Sequence, residues 1–444
     1  MKKWLVVFMT IMPTFVFGDD DCATMRHIPQ SEQSLQDVIK LGLCRNPQTA
    51  AAYASLQSQR FNKNAAYSNY LPSISAGISA GKNYKNEQWD DWNYGASISA
   101  SYLIFDFGKR TSDMASTLAT YRAAGFDFKD SVQNYVYGLV GSYYELLKAN
   151  ADVVAAEKAL SVAQTAYNTA NKKFNAGVVA KADVYKAETT LASSNLSLEK
   201  LKNNREIIKA GLLNKLSFPA DEEIKIKDMS STFGTDAESE SIEELIEIAK
   251  KKRPDLLKAT AQKDAAWHKR NSAFLKNLPS ISASASVSWN DEKLPGVFQP
   301  ESEKIGGSIG IRASMPLFAG FANMYGIRAA ESDYERAKFN EQNAQNNAQL
   351  DIFSAYQNYK TARNVLSQTE ILLKSATESE RVVSGMYKVG RATMLDWQTA
   401  QSELVNAQRQ NNSAKYDLFV KRAAVALAIG EIKSEIEGIK DEEK

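Results

Sequence analysis

Four short runs of the chain alternate apolar and small polar residues almost perfectly. The runs cover residues 73–80, 96–102, 280–289 and 308–315. One face of each run carries Ile, Ala, Val or an aromatic residue, whereas the other carries mostly Ser and Gly. A period of two residues predicts a strand with one apolar and one polar face. Runs of about 10 residues suit tilted strands that cross a membrane.

This alternation fits either a soluble antiparallel sheet with one hydrated face or a sheet within a membrane. A Ser and Gly face suits a crowded or water-filled lumen, and aromatic residues at or beyond the run ends are typical of membrane interfaces. These aromatic residues are Trp89, Trp92, Tyr94 and Trp289. We therefore favour the membrane. Because four strands cannot close a membrane barrel and lipid does not tolerate an open edge, we expect several chains to share one barrel.

Two long proline-free tracts carry a helical pattern instead. No proline lies between Pro72 and Pro219, or after Pro316. Apolar residues of the first tract recur in steps of three and four, which predicts a coiled-coil seam. The seam contains Val132, Val136, Leu139, Tyr143, Leu146, Val153, Leu160, Ala163 and Tyr167. It recurs in the second tract as Ile352, Tyr356, Tyr359, Leu366, Leu373 and Ala376. Each long helix would extend for about 65 residues, or about 100 Å.

The chain is internally duplicated, because the sequence Leu-Pro-Ser-Ile-Ser-Ala occurs at 71–76 and again at 278–283. The first repeat covers 19–218, with a β-hairpin at about 73–105 and helices at about 34–70 and 108–217. The second covers 241–430, with a hairpin at about 280–318 and helices at about 241–277 and 321–429. Residues 219–240 form a linker, and 431–444 form a charged tail. Ser34 with Asp37, and Ser241 with Glu244, resemble capping boxes at the first helix of each repeat.

The N-terminus reads as a secretory signal peptide over residues 1–18, with Lys2 and Lys3 before an apolar stretch. That stretch is too short for a stable transmembrane helix, although a retained anchor is the alternative. Acidic residues precede Cys22, which disfavours a lipid anchor there. In an oxidising compartment the two cysteines, Cys22 and Cys44, would form a disulfide, and two unpaired thiols are the alternative.

Composition and motifs exclude several functional classes. The net charge of +2 argues against nucleic acid as a partner, and two histidines argue against a histidine-rich metal site. The sequence contains no phosphate-binding glycine loop and no metalloprotease or hydrolase motif. We therefore expect a protein that is not an enzyme and needs no cofactor.

The clearest functional candidates are the two turns between the long helices and their returning partners. Each turn has an aromatic residue, then a glycine three residues later, then an aspartate six residues after that. Gly177 and Gly390 suit the positive φ that ends a helix, and Asp183 and Asp396 suit the start of the next helix. Capping alone would explain both aspartates.

The signal peptide, the duplication, the Leu-Pro-Ser strand entries and these turns together resemble the TolC outer-membrane efflux protein family. The resemblance covers nearly the whole chain after the signal. It implies a mainly helical protein in which a long antiparallel α-helical coiled-coil barrel continues a transmembrane β-barrel. Each chain of a homotrimer would give four strands, and the helical tunnel would close at the turns.

The resemblance also assigns roles by position. Asp396 matches the first acidic residue of a periplasmic constriction ring, and Thr399 occupies the second acidic position. This difference weakens the case for strong cation selectivity. Asp183 and Tyr387 match a pair whose hydrogen bond holds the entrance closed, so Asp183→Ala with Tyr387→Phe should raise conductance.

Two further positions complete the implied gate and docking site. The basic gate residue of the family falls on Ala392, with Arg391 adjacent. Gly177 and Gly390 mark the helix-turn tips, where a periplasmic adaptor would dock.

The expected function is a passive exit duct of a tripartite efflux pump or a type I secretion system. It would lie in outer-membrane lipid and extend into the periplasm, where an adaptor and an inner-membrane ABC or RND transporter complete the assembly. A trimeric adhesin is the alternative, although adhesins place their strands together at the C-terminus. A soluble coiled-coil scaffold is a second alternative. Drugs, metals and secreted protein all remain open as cargo.

Overall fold

The computed structural model describes residues 28–82, 84–85, 88–89, 92–228, 241–291 and 305–432. The predicted signal peptide, Cys22, and parts of the strand turns, the linker and the tail lie outside these ranges. The signal peptide and the disulfide between Cys22 and Cys44 therefore stay predictions.

Eight α-helices lie within the described residues, four in each repeat. The first repeat contains α1 (Leu35–Arg45), α2 (Pro47–Ala66), α3 (Lys109–Asn175) and α4 (Lys181–Lys215). The second contains α5 (Ile242–Lys252), α6 (Pro254–Leu275), α7 (Ala322–Lys388) and α8 (Met394–Ala428). Both α3 and α7 have 67 residues, so the predicted pair of very long helices is confirmed.

Local sequence signals set several helix boundaries. The predicted capping boxes are confirmed, because Ser34 with Asp37 caps α1 and Ser241 with Glu244 caps α5. In each repeat a proline, Pro47 or Pro254, begins the next helix. Proline is tolerated in the first turn, where its missing N–H would have no partner.

The strands are β1 (Ser73–Gly81), β2 (Tyr84–Lys85), β3 (Gln88–Trp89), β4 (Asn93–Phe105), β5 (Ser280–Asp291) and β6 (Ile305–Ser314). The small β2–β3 pair forms a separate sheet, and the main antiparallel sheet has the order β1-β4-β5-β6. Its central pair, β4 with β5, joins the two predicted hairpins. The pairing register puts apolar residues opposite apolar residues across the sheet, as in Ala76–Ile98 and Ile98–Val287.

Both faces of this sheet are largely solvent-exposed in the single chain. On the apolar face, Ile78 is 93% exposed and Ile309 is 89% exposed. On the other face, serine hydroxyls pair across strands, Ser75 with Ser99 at 2.8 Å and Ser286 with Ser308 at 2.9 Å. The sheet is open at β1 and β6, so closure into a shared barrel stays a prediction. Among the described residues, no helix is long and apolar enough to cross a membrane.

The chain divides into two compact units, and each unit draws on both repeats. One comprises residues 1–52, 129–253 and 347–444, as far as these are described, and the other comprises 53–128 and 254–346. The predicted seam forms part of the core of the first unit. Val136, Leu139 and Tyr143 are almost fully buried on α3, and Ile352 is buried on α7.

Candidate functional site

Both helix-to-helix turns have the same backbone geometry. Gly177 has a φ of 71° and Gly390 a φ of 79°, which a residue with a Cβ adopts only with strain. In the first turn, the Gly177 N–H donates to the Phe174 carbonyl and the Val178 N–H donates to the Lys173 carbonyl, both at 2.9 Å. The same two bonds recur after α7, to the carbonyls of Tyr387 and Met386. This pattern is the Schellman motif, and it confirms that each glycine ends a helix.

The helices that leave the two turns begin differently. Thr393 caps α8, and its hydroxyl and N–H both donate to Asp396 Oδ2, at 2.7 and 2.8 Å. The Asp396 N–H returns a bond to Thr393 Oγ1 at 3.2 Å. The hydrogen bond from the Thr393 side chain, followed by that from its backbone, lowers the pKa of the Asp396 carboxyl. The N-cap of α4 is Ala180, which offers no side-chain cap, so Asp183 forms no such box.

A small apolar core joins all four helices near the turns. Its residues come from α3, α4, α7 and α8, and they are Ala166, Ala170, Val184, Ala187, Tyr387, Met394 and Trp397. The rings of Tyr387 and Trp397 lie 5.2 Å apart between centroids. Trp397 Nε1 donates to Glu380 Oε1 at 2.9 Å, which satisfies the indole N–H. The two hairpins of helices therefore pack against each other at this end.

The expected hydrogen bond between Asp183 and Tyr387 is absent from the structure. The Tyr387 hydroxyl is buried, and none of the described residues gives it a hydrogen-bond partner. Burial, and secondly the nearby Asp183 carboxylate, raise the pKa of the Tyr387 phenol. The two residues are thus close enough to interact electrostatically, but the hydroxyl does not form the expected link. Their assignment to a gate stays a prediction.

A lysine contacts Tyr387 in another way. Lys173 Nζ on α3 donates a hydrogen bond to the Tyr387 carbonyl, and it also lies 4.3 Å from the centroid of the Tyr387 ring. Because this carbonyl lies in the last turn of α7, the cation also meets the negative end of the helix dipole. No motif in the sequence singled out Lys173 as a functional residue. The only available signal was the difference between the repeats, since Met386 occupies the matching position.

Amide side chains of α8 make further contacts with the first hairpin. Gln398 Nε2 donates to the Lys186 carbonyl at 2.9 Å and to Thr190 Oγ1 at 2.5 Å. Farther along α8, Gln401 donates to the Ala159 carbonyl at 3.1 Å, and Asn412 donates to Asp152 at 3.1 Å. We call the contacts of Lys173, Gln398, Gln401 and Asn412 the cross-hairpin contacts.

The remaining predicted gate residues lie on the surface. Asp396, Thr399 and Arg391 are all exposed. Thr399 donates its hydroxyl to the Leu395 carbonyl within α8 at 3.0 Å. One chain does not by itself assemble these residues into a constriction, so their role stays a prediction.

Comparison with known proteins gives consistent matches along the chain. The sequence model for the family described as outer membrane efflux protein matches residues 38–216 and 245–431. The protein CyaE of Bordetella pertussis is 23% identical over 411 residues, which cover 91% of this chain and 86% of CyaE. The outer membrane protein TolC of Escherichia coli is 23% identical over 419 residues, which cover 90% of this chain and 82% of TolC.

Solved structures match over a similar extent. The outer membrane protein VceC of Vibrio cholerae superposes with a TM-score of 0.78 at 20% identity, covering 89% of this chain and 96% of VceC. CusC superposes with a TM-score of 0.80 at 18% identity, covering 90% of this chain and 92% of CusC. At these identities the superpositions establish a shared fold.

Proposed function

Because this chain belongs to the outer membrane efflux protein family, we propose that three copies of it assemble into one exit duct. The predicted resemblance and fold class are thereby confirmed. The protein is an outer-membrane efflux or secretion channel that extends into the periplasm, and it is not an enzyme. These matches favour the duct over the adhesin alternative. The number of copies, the partners and the cargo belong to the proposal.

The open sheet is the observation that carries the assembly. Its outer strands β1 and β6 have no strand partner on their outer sides in the described chain. An unpaired strand edge leaves backbone N–H and C=O groups without partners, and lipid offers none. Pairing β6 of one copy with β1 of the next removes every edge once the ring closes. Three copies give enough strands for a membrane barrel, whereas one copy does not.

A second unpartnered surface supports the same assembly. At 100° per residue, several exposed apolar side chains share one face of α7, opposite the buried face of Ile352, Ala355 and Tyr359. They are Leu350, Phe353, Ile371, Val382 and Met386. A helix with two apolar stripes packs against two neighbours. The neighbours on one side belong to this chain, so a second copy is the proposed partner on the other.

We assign the helix-turn tips to an adaptor. Exposed apolar side chains surround Gly177 and Gly390, among them Val178, Val389 and Leu395. Apolar groups at an exposed tip suit a partner surface that buries them. An inner-membrane ABC or RND transporter would supply the energy through that adaptor. The name of one relative, the toxin and drug export protein A of Aggregatibacter actinomycetemcomitans, leaves both drug and toxin cargo open.

We place the gate at the same end of the helices. The cross-hairpin contacts hold the second hairpin to the first, and opening requires the hairpins to separate. The exposed Asp396, Thr399 and Arg391 then line or flank the entrance. A partner that binds the separated arrangement more tightly would shift the equilibrium towards the open state.

The assembly is tested on protein purified in detergent. Native mass spectrometry should give three times the mass of the mature chain, and planar bilayers should show discrete channel openings. A monomer that forms no channels would contradict the proposal.

The gate is tested by conductance. Lys173→Ala combined with Gln398→Ala removes side chains that link the two hairpins, so single-channel conductance should rise several-fold. Lys172→Ala is the matched control, because it removes an exposed charge one residue away. The double variant Asp183→Ala with Tyr387→Phe is a second comparison. The structure shows no hydrogen bond between these two side chains, so this variant removes none. An unchanged conductance in the Lys173 and Gln398 variant would refute the gate.

A further inference from the structure

One charged residue interrupts the polar face of the main sheet. Strands β1, β4 and β6 together contain a single charged residue, Arg312. The only charged residue of β5 is Asp291, at its end. Arg312 lies two residues before the end of β6 from which the chain continues to α7. At about 3.3 Å per residue, Arg312 is about 7 Å from that end of the strand. Asp291, the last residue of β5, lies at the opposite end of the sheet.

The pairing register puts Arg312 on the polar face of the main sheet, which we call the serine face because serine residues such as Ser75, Ser99 and Ser286 lie on it. Arg312 pairs with Ser282, which in turn pairs with Leu103 of β4. The next position on the same face pairs Gly310 with Ser284, and the one beyond pairs Ser308 with Ser286. Because side chains two residues apart lie on one face of a strand, Arg312 shares its face of β5 and β6 with small serine and glycine residues. The arginine is exposed and stands among neighbours that are too small to cover it.

The two faces of the sheet differ in how well they suit lipid. An arginine on the lipid face of a membrane barrel is unfavourable, most strongly at the bilayer midplane and least near the interfaces. The opposite face carries exposed Ile78, Ile98, Ile309 and Ile311, which suit contact with lipid. The serine face, and Arg312 with it, therefore faces the aqueous lumen of a closed barrel.

Two basic residues at the start of α3, near the helical end of the sheet, already have partners. Arg110 pairs with Asp106 at 3.3 Å and donates to the Leu103 and Ile104 carbonyls. Lys109 pairs with Asp113 at 2.6 Å. For Arg312, the described residues provide neither an ion pair nor a hydrogen bond. Its charge is consequently available to ions in the lumen.

We propose that Arg312 forms an anion-attracting ring at the helical end of the barrel lumen, which favours small and multivalent anions over cations. The ring rests on the proposed three-copy assembly, in which each copy contributes one guanidinium. Fixed charges of one sign in a narrow passage raise the local concentration of counter-ions. The Debye length is about 10 Å at 0.1 M salt and about 3 Å at 1 M, so the effect should be strong only in dilute salt.

Reversal potentials in a KCl gradient test this selectivity. The measurement uses the Lys173→Ala and Gln398→Ala background, so that the helical entrance does not dominate the resistance. Near 0.1 M salt, Arg312→Gln should lower the chloride-to-potassium permeability ratio about threefold, and in 1 M salt the difference should nearly vanish. Arg312→Lys is the matched control that keeps the charge and should keep the ratio. Inorganic tripolyphosphate added to the extracellular side should block the parent channel and not the glutamine variant.

A second variant covers the case in which Arg312→Gln does not assemble. Ser308→Glu places a carboxylate on the same face with Arg312 retained, and it should also lower the permeability ratio. If a conducting Arg312→Gln or Ser308→Glu channel had the same chloride-to-potassium permeability ratio as the parent, the inference would be overturned. The proposed function as an exit duct would still stand. If the unmutated protein formed no channel at all, the proposed function would fall, and the inference with it.

Discussion

The two helix-turn tips have the same turn but differ in what surrounds it. Each ends in a Schellman motif around a glycine, Gly177 or Gly390. At the second tip, Tyr387 is only 2% exposed, and Thr393 caps the returning helix. At the first tip, the matching aromatic residue, Phe174, is 37% exposed, and Ala180 gives no side-chain cap. The repeat preserves the turn, and divergence has concentrated the stabilising contacts at the second tip.

The donors of the hydrogen bonds between the two hairpins are also unequally divided between them. Gln398, Gln401 and Asn412 all lie on α8 and donate to the first hairpin. From the first hairpin, Lys173 donates to the end of α7, and Gln133 donates to the Gly430 carbonyl just after α8 at 3.1 Å. Most of the donors among these described contacts therefore lie on α8.

The largest expected effect comes from removing the buried aromatic ring. Tyr387→Ala should destabilise the second tip locally by about 3–5 kcal/mol, because truncating a buried aromatic residue leaves a cavity. Hydrogen exchange should accelerate strongly in peptides that cover residues 383–397.

Phe174→Ala at the first tip is the matched variant. Its ring is partly exposed, so exchange over residues 170–184 should accelerate much less. Equal acceleration at the two tips would contradict the asymmetry between them.

A smaller effect is expected from exchanging the caps. Thr393→Ala removes the cap of α8 and should destabilise its first turn by about 1 kcal/mol. Ala180→Thr should build the missing box with Asp183 and stabilise the first turn of α4 by a similar amount. Protection factors of the first-turn amides measure both changes. If Thr393→Ala left the protection of α8 unaltered, the capping box would have no energetic role.

The smallest effect is a pH dependence confined to the second tip. The folded state lowers the pKa of Asp396 below its usual value of 3.8, so the capping box stabilises α8 above that value. The contribution is lost as the pH falls through the lowered pKa, because the protonated carboxyl accepts hydrogen bonds more weakly. Protection of the first turn of α8 should fall below about pH 4 relative to that of α4. Asp396→Asn should abolish this difference, and a difference that persisted in that variant would rule out Asp396 as its cause.

The sequence alone predicted the elements whose signals are local. Period-two alternation located the four long strands, and steps of three and four located the seam that buries Val136 and Ile352. Ser34 and Ser241 marked helix starts, and Gly177 and Gly390 marked helix ends. Each signal depends on residues a few positions apart, and elementary backbone geometry is sufficient to interpret it.

Only the tertiary structure decided how distant parts meet. Within the part of the chain that it describes, it paired β4 with β5, left the Tyr387 hydroxyl without a hydrogen-bond partner, and brought Lys173 and Gln398 to carbonyl groups of the other hairpin. Every residue has a main-chain carbonyl, so the sequence does not show which carbonyl accepts a hydrogen bond from a distant side chain. Side-chain periodicity fixes which face of a helix is buried. Which carbonyl a long polar side chain reaches depends on how the helices are placed against each other, and that placement arises only when the whole chain packs.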